Sequence, residues 1–154
     1  MLYTLDVYIV SGPMTRKFIK RNPRVCRTIE IQGEHTLMHL HQAIFKALDR
    51  EEEHMYEFQV GGKGPNDPGA RRYGLSDNEG GTEELTGNVR QKRIDALGLK
   101  TGDVFGYWFD FGDDWWHQIN VVAVDEKTET GKYPRVTKKV GASPPQYEDG
   151  TGRT

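Results

Sequence analysis

The chain has 154 residues, one cysteine, a net charge of −2 and a pI near 6.2. That length suits a single domain able to bury a core without disulfides, and one thiol, Cys26, excludes both an internal disulfide and a multi-cysteine zinc site. The near-neutral balance excludes a global drive toward nucleic acid or anionic membrane, and no run approaches the ~18 apolar residues of a membrane span. The lone thiol, and an N-terminus without the basic and long apolar segments of a signal peptide, predict a soluble cytoplasmic protein. A monomer or weak dimer is expected, with an unidentified protein or nucleic acid as partner and no membrane.

Leu2 to Val10 alternates, with Tyr3, Leu5, Val7 and Ile9 on one face, and predicts a half-buried strand ended by Ser11-Gly12-Pro13. Met14 to Arg24 holds a short helix that stops before Pro23. Val25 to Ile31, with β-branched Thr28, Ile29 and Ile31, predicts a second strand. Thr36 is a fair N-cap for a helix from Leu37 to about Arg50. Leu37, Leu40, Ile44 and Leu48 form its apolar stripe, widened by His41 and Phe45. Glu51-Glu52-Glu53 predicts a looped end, because acids oppose the helix dipole there. Met55 to Val60 reads as a third strand.

Residues 61–93 change character, with Gly61-Gly62, Pro65, Pro68-Gly69 and Gly80-Gly81 among many charges, and predict a long glycine-rich, charged loop. Ile94 to Leu99 is a short apolar return. Strand four is expected from Val104 to Phe109 or Asp110, and strand five from about Trp115 to Asp125. Residues 1–127 therefore read as one α+β domain, and 128–154 as an extended, largely unanchored C-terminal tail. The order is β-β-α-β-loop-β-β, a mixed sheet with one main helix. A β-grasp, or ubiquitin-like, roll has this order, with the first strand and a late strand paired in parallel at its centre.

The densest chemistry lies between strands four and five. All three tryptophans fall within Tyr107 to His117, beside Asp110, Asp113, Asp114 and His117. Two hairpin registers fit. A two-residue loop at Gly112-Asp113 pairs Asp110 with Trp115. A three-residue loop, Phe111 to Asp113, pairs Phe109 with Trp115, Tyr107 with His117 and Phe105 with Ile119, and gives an almost wholly aromatic and aliphatic face.

Asp110, Asp113 and His117 are candidate catalytic or metal-assisting residues, with His35, His39 or His41 as further donors. The competing structural reading has Asp110 accepting turn amides, Asp113 at a position needing positive φ, and His117 as a satisfied core histidine. Asp110-Phe111-Gly112 spells the metal triplet of protein kinases, but no glycine-rich phosphate loop or catalytic loop accompanies it. No other nucleotide-binding or hydrolase motif is present. No cofactor and no metal site is expected. The second charged feature, Arg16 to Arg27, holds six basic residues and no acidic one. Arg16, Lys17, Lys20, Arg21, Arg24 and Arg27 are candidate phosphate contacts, against the plainer reading of a solvated edge partly neutralised by the acids of Asp49 to Glu53.

The pattern Phe105-x-Tyr107-x-Phe109-Asp110-Phe111-Gly112-Asp113-x-Trp115-x-His117-x-Ile119 resembles the hallmark of the plasmid pRiA4b ORF-3-like family. Leu37-x-x-Leu40-His41-x-x-Ile44, His54-x-Tyr56-x-Phe58 and Leu99-x-x-Gly102-Asp103 resemble that family's helix, third strand and lead into the hairpin. The likeness covers roughly residues 3 to 125. Val25-Cys26-Arg27 stands where the family often has Trp-Arg-Arg, and Pro144-Pro145-Gln146-Tyr147-Glu148-Asp149-Gly150 only echoes its C-terminal signature. The resemblance implies a compact α+β fold and a link to plasmid or mobile-element DNA functions. No recombinase serine or tyrosine context accompanies it. The expected role is a non-enzymatic binding or accessory protein. A metal-dependent hydrolase or nuclease using Asp110, Asp113 and His117 is the alternative.

Overall fold

A computed structural model describes residues 1–75 and 85–147. Most of the strands arise where one face of an alternating segment is apolar. They are β1 (Leu2–Ser11), β2 (Cys26–Gln32), β3 (Tyr56–Val60), β4 (Arg71–Gly74), β5 (Gly87–Asn88), β6 (Val104–Phe109), β7 (Trp115–Asp125) and β8 (Arg135–Val140). They form one sheet in the order β5-β4-β3-β6-β7-β1-β2-β8. Two helices are interspersed, α1 (Arg16–Arg21) and α2 (Leu37–Ala47), and Ile94–Ala96 makes one 3-10 turn. The fold is α+β, with one main helix and a mixed sheet.

The α2 boundaries follow from its sequence. The Thr36 hydroxyl accepts from the His39 amide, and the His39 ring accepts from the Thr36 amide in return, a capping box with histidine in the acid's usual place. Leu37, Leu40, His41, Ile44 and Ala47 are its buried residues. They meet a core made from one face of the sheet. Tyr3, Leu5 and Val7 lie opposite Ile31, Ile29 and Arg27 on β2. Phe105, Tyr107 and Phe109 lie opposite Ile119, His117 and Trp115 on β7. Phe58 and Tyr56 on β3 oppose Tyr107 and Phe109 in turn. The three-residue-loop register of the hairpin is the one adopted.

The sheet pairing departs from a β-grasp roll in one respect. β1 runs antiparallel to β7, not parallel to a late strand. Among the described residues the one parallel pair is β4 with β5. Alternation shows which residues share a face but not the direction of the neighbouring strand, so the sequence left this open.

Two further stretches differ from expectation. The 61–93 segment supplies β4, β5 and an ordered turn in which Asp67 accepts from the amides of Lys63 (2.6 Å) and Gly69 (2.8 Å). This turn crosses the second face of the sheet over Gly106, where a Cβ would stand 2.5 Å from Pro65 Cα. Only glycine fits that approach. Residues 76–84 of the expected loop lie outside the described residues. The 128–147 stretch is not an unanchored tail. β8 pairs antiparallel with β2, and residues 142–147 bind back onto the turn after α2. Gln146 Oε1 accepts from the amides of Glu51 (2.8 Å) and Glu52 (3.0 Å), and Ser143 donates to Asp49 (2.6 Å).

Candidate functional site

Three places carry the polar chemistry: the hairpin tip, a buried histidine network behind it, and a basic corner of the sheet. The tip, Asp110 to Asp114, is built around Asp110. Its amide donates to the Met55 carbonyl (2.9 Å) and its carbonyl accepts from the Asp114 amide (2.7 Å). Its Oδ1 accepts from the amides of Gly112 and Asp113, each at 3.1 Å. The positive φ expected at Asp113 falls instead on Asp110 (63°) and Asp114 (57°), a conformation that aspartate tolerates. Asp114 also accepts from the Trp108 indole (2.8 Å). Asp110 Oδ2 sits 3.4 Å from His54 Nε2.

His117 points away from the tip into the core and is fully buried. Its Nε2 lies 2.8 Å from Arg50 Nη2 and its Nδ1 lies 3.0 Å from the Tyr107 carbonyl. A guanidinium only donates. Nε2 is therefore the acceptor, and the Nδ1–H donates to Tyr107. Burial, reinforced by the Arg50 charge, pushes the His117 pKa well down, so the ring is neutral. Arg50 lies against the rings of Phe109 (4.8 Å) and Trp115 (5.0 Å). Burial lowers its pKa to about 10, which leaves it cationic at neutral pH.

Asp110, Asp113 and His117 are thus not gathered into one donor set. Among the described residues no group of three His, Cys, Asp or Glu side chains is placed to hold a metal ion. His39 is occupied in the α2 cap, and His35 packs edge-on against it.

His41 belongs to a second relay. Tyr107 is fully buried, which raises its pKa well above the ordinary phenol value. Its hydroxyl donates to His41 Nδ1 at 2.5 Å, and His41 Nε2–H then donates to Glu53 at 2.8 Å. Burial lowers the His41 pKa against the opposing pull of Glu53. The bond from His41 holds the Glu53 pKa below its usual value. His41 also stacks on Tyr56, with ring centres 3.7 Å apart. The relay ends beside a cavity between α2 and β3, lined also by His54. Arg50, Glu53 and Tyr56 were not named as site residues from sequence. The one signal was His41, a polar residue within the apolar stripe of α2.

The basic candidates separate into two kinds. Arg16, Lys17, Lys20, Arg21 and Arg24 are exposed. Arg27 is buried, and this removes it from the phosphate-contact set. Its guanidinium donates to the carbonyls of Ala47 (2.9 Å), Cys26 (2.8 Å) and Val140 (3.0 Å) and to Ser143 (3.0 Å). Two cations that sequence reasoning did not select, Lys138 and Lys139, join the corner. β8 places them opposite Thr28 and Arg27. The Ala142 amide donates to Asn22 (2.9 Å), docking the end of β8 on the turn after α1. None of the seven exposed cations forms an ion pair among the described residues.

Fold and site together describe an α+β domain with a hairpin tip whose Asp110 accepts from turn amides and a corner of seven exposed cations. The model of the plasmid pRiA4b ORF-3-like proteins matches residues 17–153, and the chain belongs to that family. It is similar to a crystal structure of a protein of unknown function, MM3350 from Methanosarcina mazei Go1. The TM-score is 0.69 at 23% identity, covering 90% of this chain and 68% of that one. At that identity the likeness concerns the fold. Among curated proteins no match is found. No helix among the described residues is long and apolar enough to cross a membrane.

Proposed function

We propose that the protein is a non-enzymatic nucleic-acid-binding module that engages the phosphate backbone through the corner formed by α1, the turn at Arg24 and the end of β8. The observation that carries this reading is the set of seven exposed, unpaired cations. Arg16, Lys17, Lys20, Arg21 and Arg24 are brought beside Lys138 and Lys139 in a chain whose net charge is −2. Surface cations gain from counterion release when they meet phosphates. Cations that hold no ion pair lose none in doing so.

The Phe111–Trp108–Trp116 stack lies at the same end of the sheet. Its ring centres are 4.0 Å and 4.9 Å apart, and Trp116 registers with Ser11 at the end of β1. The family's association by name with plasmid functions agrees with a nucleic-acid partner. The hydrolase reading has less support, because Asp110 is spent on turn amides and His117 on Arg50 and Tyr107.

The reading is tested by fluorescence anisotropy with labelled DNA at rising salt. Binding should weaken steeply with salt, and Lys20→Glu with Arg21→Glu should lower the log–log salt slope by about 2. Salt-insensitive binding, or equal binding by the double variant, would contradict it.

A further inference from the structure

The cavity between α2 and β3 measures about 530 Å3, within the ~300–1,000 Å3 typical of small-molecule sites. The basic corner has no part in it. Its walls include Met38, Met55 and Leu75, two of them methionines whose flexible side chains adapt to a ligand's shape. The polar residues His41, Gln42, Glu53, His54, Tyr56 and Arg90 complete the lining. Tyr56 is only 3% exposed and lines the cavity, and its hydroxyl makes no hydrogen bond among the described residues. Glu53 takes a proton donor from His41 on one side and stays 60% exposed on the other. Arg90 is exposed and forms no ion pair among the described residues.

Both charges line the cavity with the tyrosine. Burial raises the Tyr56 pKa most, Glu53 raises it further and Arg90 lowers it, so both charges are felt at the hydroxyl. A cavity lined by an anion, a cation and a tyrosine hydroxyl, together with thioether and leucine carbons, suits a ligand that carries both charges and an apolar group. An aliphatic acid would leave Glu53 unanswered, and an amine would leave Arg90 so. Both nitrogens of His41 are engaged, which leaves that ring holding Glu53 in place.

We propose that this cavity binds the zwitterion of a free apolar α-amino acid. Arg90 and the Tyr56 hydroxyl take its carboxylate, Glu53 takes its ammonium, and Met38, Met55 and Leu75 take its side chain.

Calorimetric titration of the full chain with L-methionine, L-leucine and L-phenylalanine tests this. The N-acetyl and methyl-ester forms of each serve as probes lacking one charge. Saturable binding of the free amino acids is expected, weakened about tenfold or more in either blocked form and in Arg90→Gln and Glu53→Gln. Arg90 is exposed, so its variant should melt with the parent in the absence of ligand and still bind DNA. No heat with any of the three amino acids would overturn the proposal. So would equal binding by the blocked forms, or unchanged affinity in Arg90→Gln. The nucleic-acid reading stands or falls separately, since its variants lie at the other site.

Discussion

His117 and Arg50 form an unusual buried pair, a neutral imidazole accepting from a cation with aromatic rings against it. Removing one partner of such a pair costs more than replacing a lone polar group, because the other is left desolvated. His117→Leu should therefore lower stability by about 3 kcal/mol. Arg50→Leu, which removes the charge itself, should cost less. Urea denaturation of the two variants checks the order, and a larger loss in Arg50→Leu would contradict the view that the stranded buried charge dominates the cost.

The same residues set a pH dependence. Burial depresses the pKa of both His41 and His117 from the ordinary 6.5. The unfolded chain takes up protons near pH 6.5 that the fold resists. Their contribution is fully present above that value and is lost as pH falls from 6.5 toward the depressed values, by at most ~1.4 kcal/mol per pH unit for each histidine. Glu53, depressed by its bond from His41, adds a loss of the same sign as pH falls below the ordinary carboxylate range. Denaturation midpoints should decline from pH 7 to pH 5. Midpoints that rise over this interval would mean that the histidines are charged in the fold.

At the level of elements, Arg27 shows where sequence reading stops. It sits three positions from Arg24 in the same basic run, but inside the second strand, on the face of Ile29 and Ile31. What separates them is β-strand alternation and the arrival of β8 from more than a hundred residues away. Arg27 lies in register with Val7 on the core side, where it joins the end of α2 to β8 and Ser143. Arg27→Ala should cost about 3 kcal/mol through several lost charge-assisted bonds, and Arg24→Ala should leave the melting temperature unchanged. Comparable melting of the two variants would contradict the division.

The α2 stripe and the hairpin register were legible because periodicity and an aromatic face encode them directly. β8 was not. Its sequence, Arg135-Val-Thr-Lys-Lys-Val140, lies mostly exposed on an edge, so it carries little apolar alternation to read. The turn after α2 was equally opaque, because its amides are satisfied by Gln146 from the far end of the chain. The conflict at the hairpin tip, acids inside an aromatic run, was visible in the sequence. Only the geometry showed that Asp110 spends its Oδ1 on two amides of its own turn.

Over the whole molecule, a net charge of −2 conceals an uneven distribution. Several acids are held in local pairs, Glu57 with Arg72, Asp95 with Arg93 and Glu30 with Arg135. The α1–β8 corner keeps its cations free. Overall pI is therefore a poor guide to partners here, and the local field is the relevant quantity. Lys138 and Lys139 give the most direct test, because they joined the corner only through the fold. The decisive measurement is the DNA affinity of Lys138→Gln with Lys139→Gln, followed across a salt series beside the parent chain. Weaker binding at low salt with a slope reduced by about 2 is the expected result. An unchanged affinity and slope, in a variant that melts with the parent, would contradict the assignment of this corner as the nucleic-acid surface.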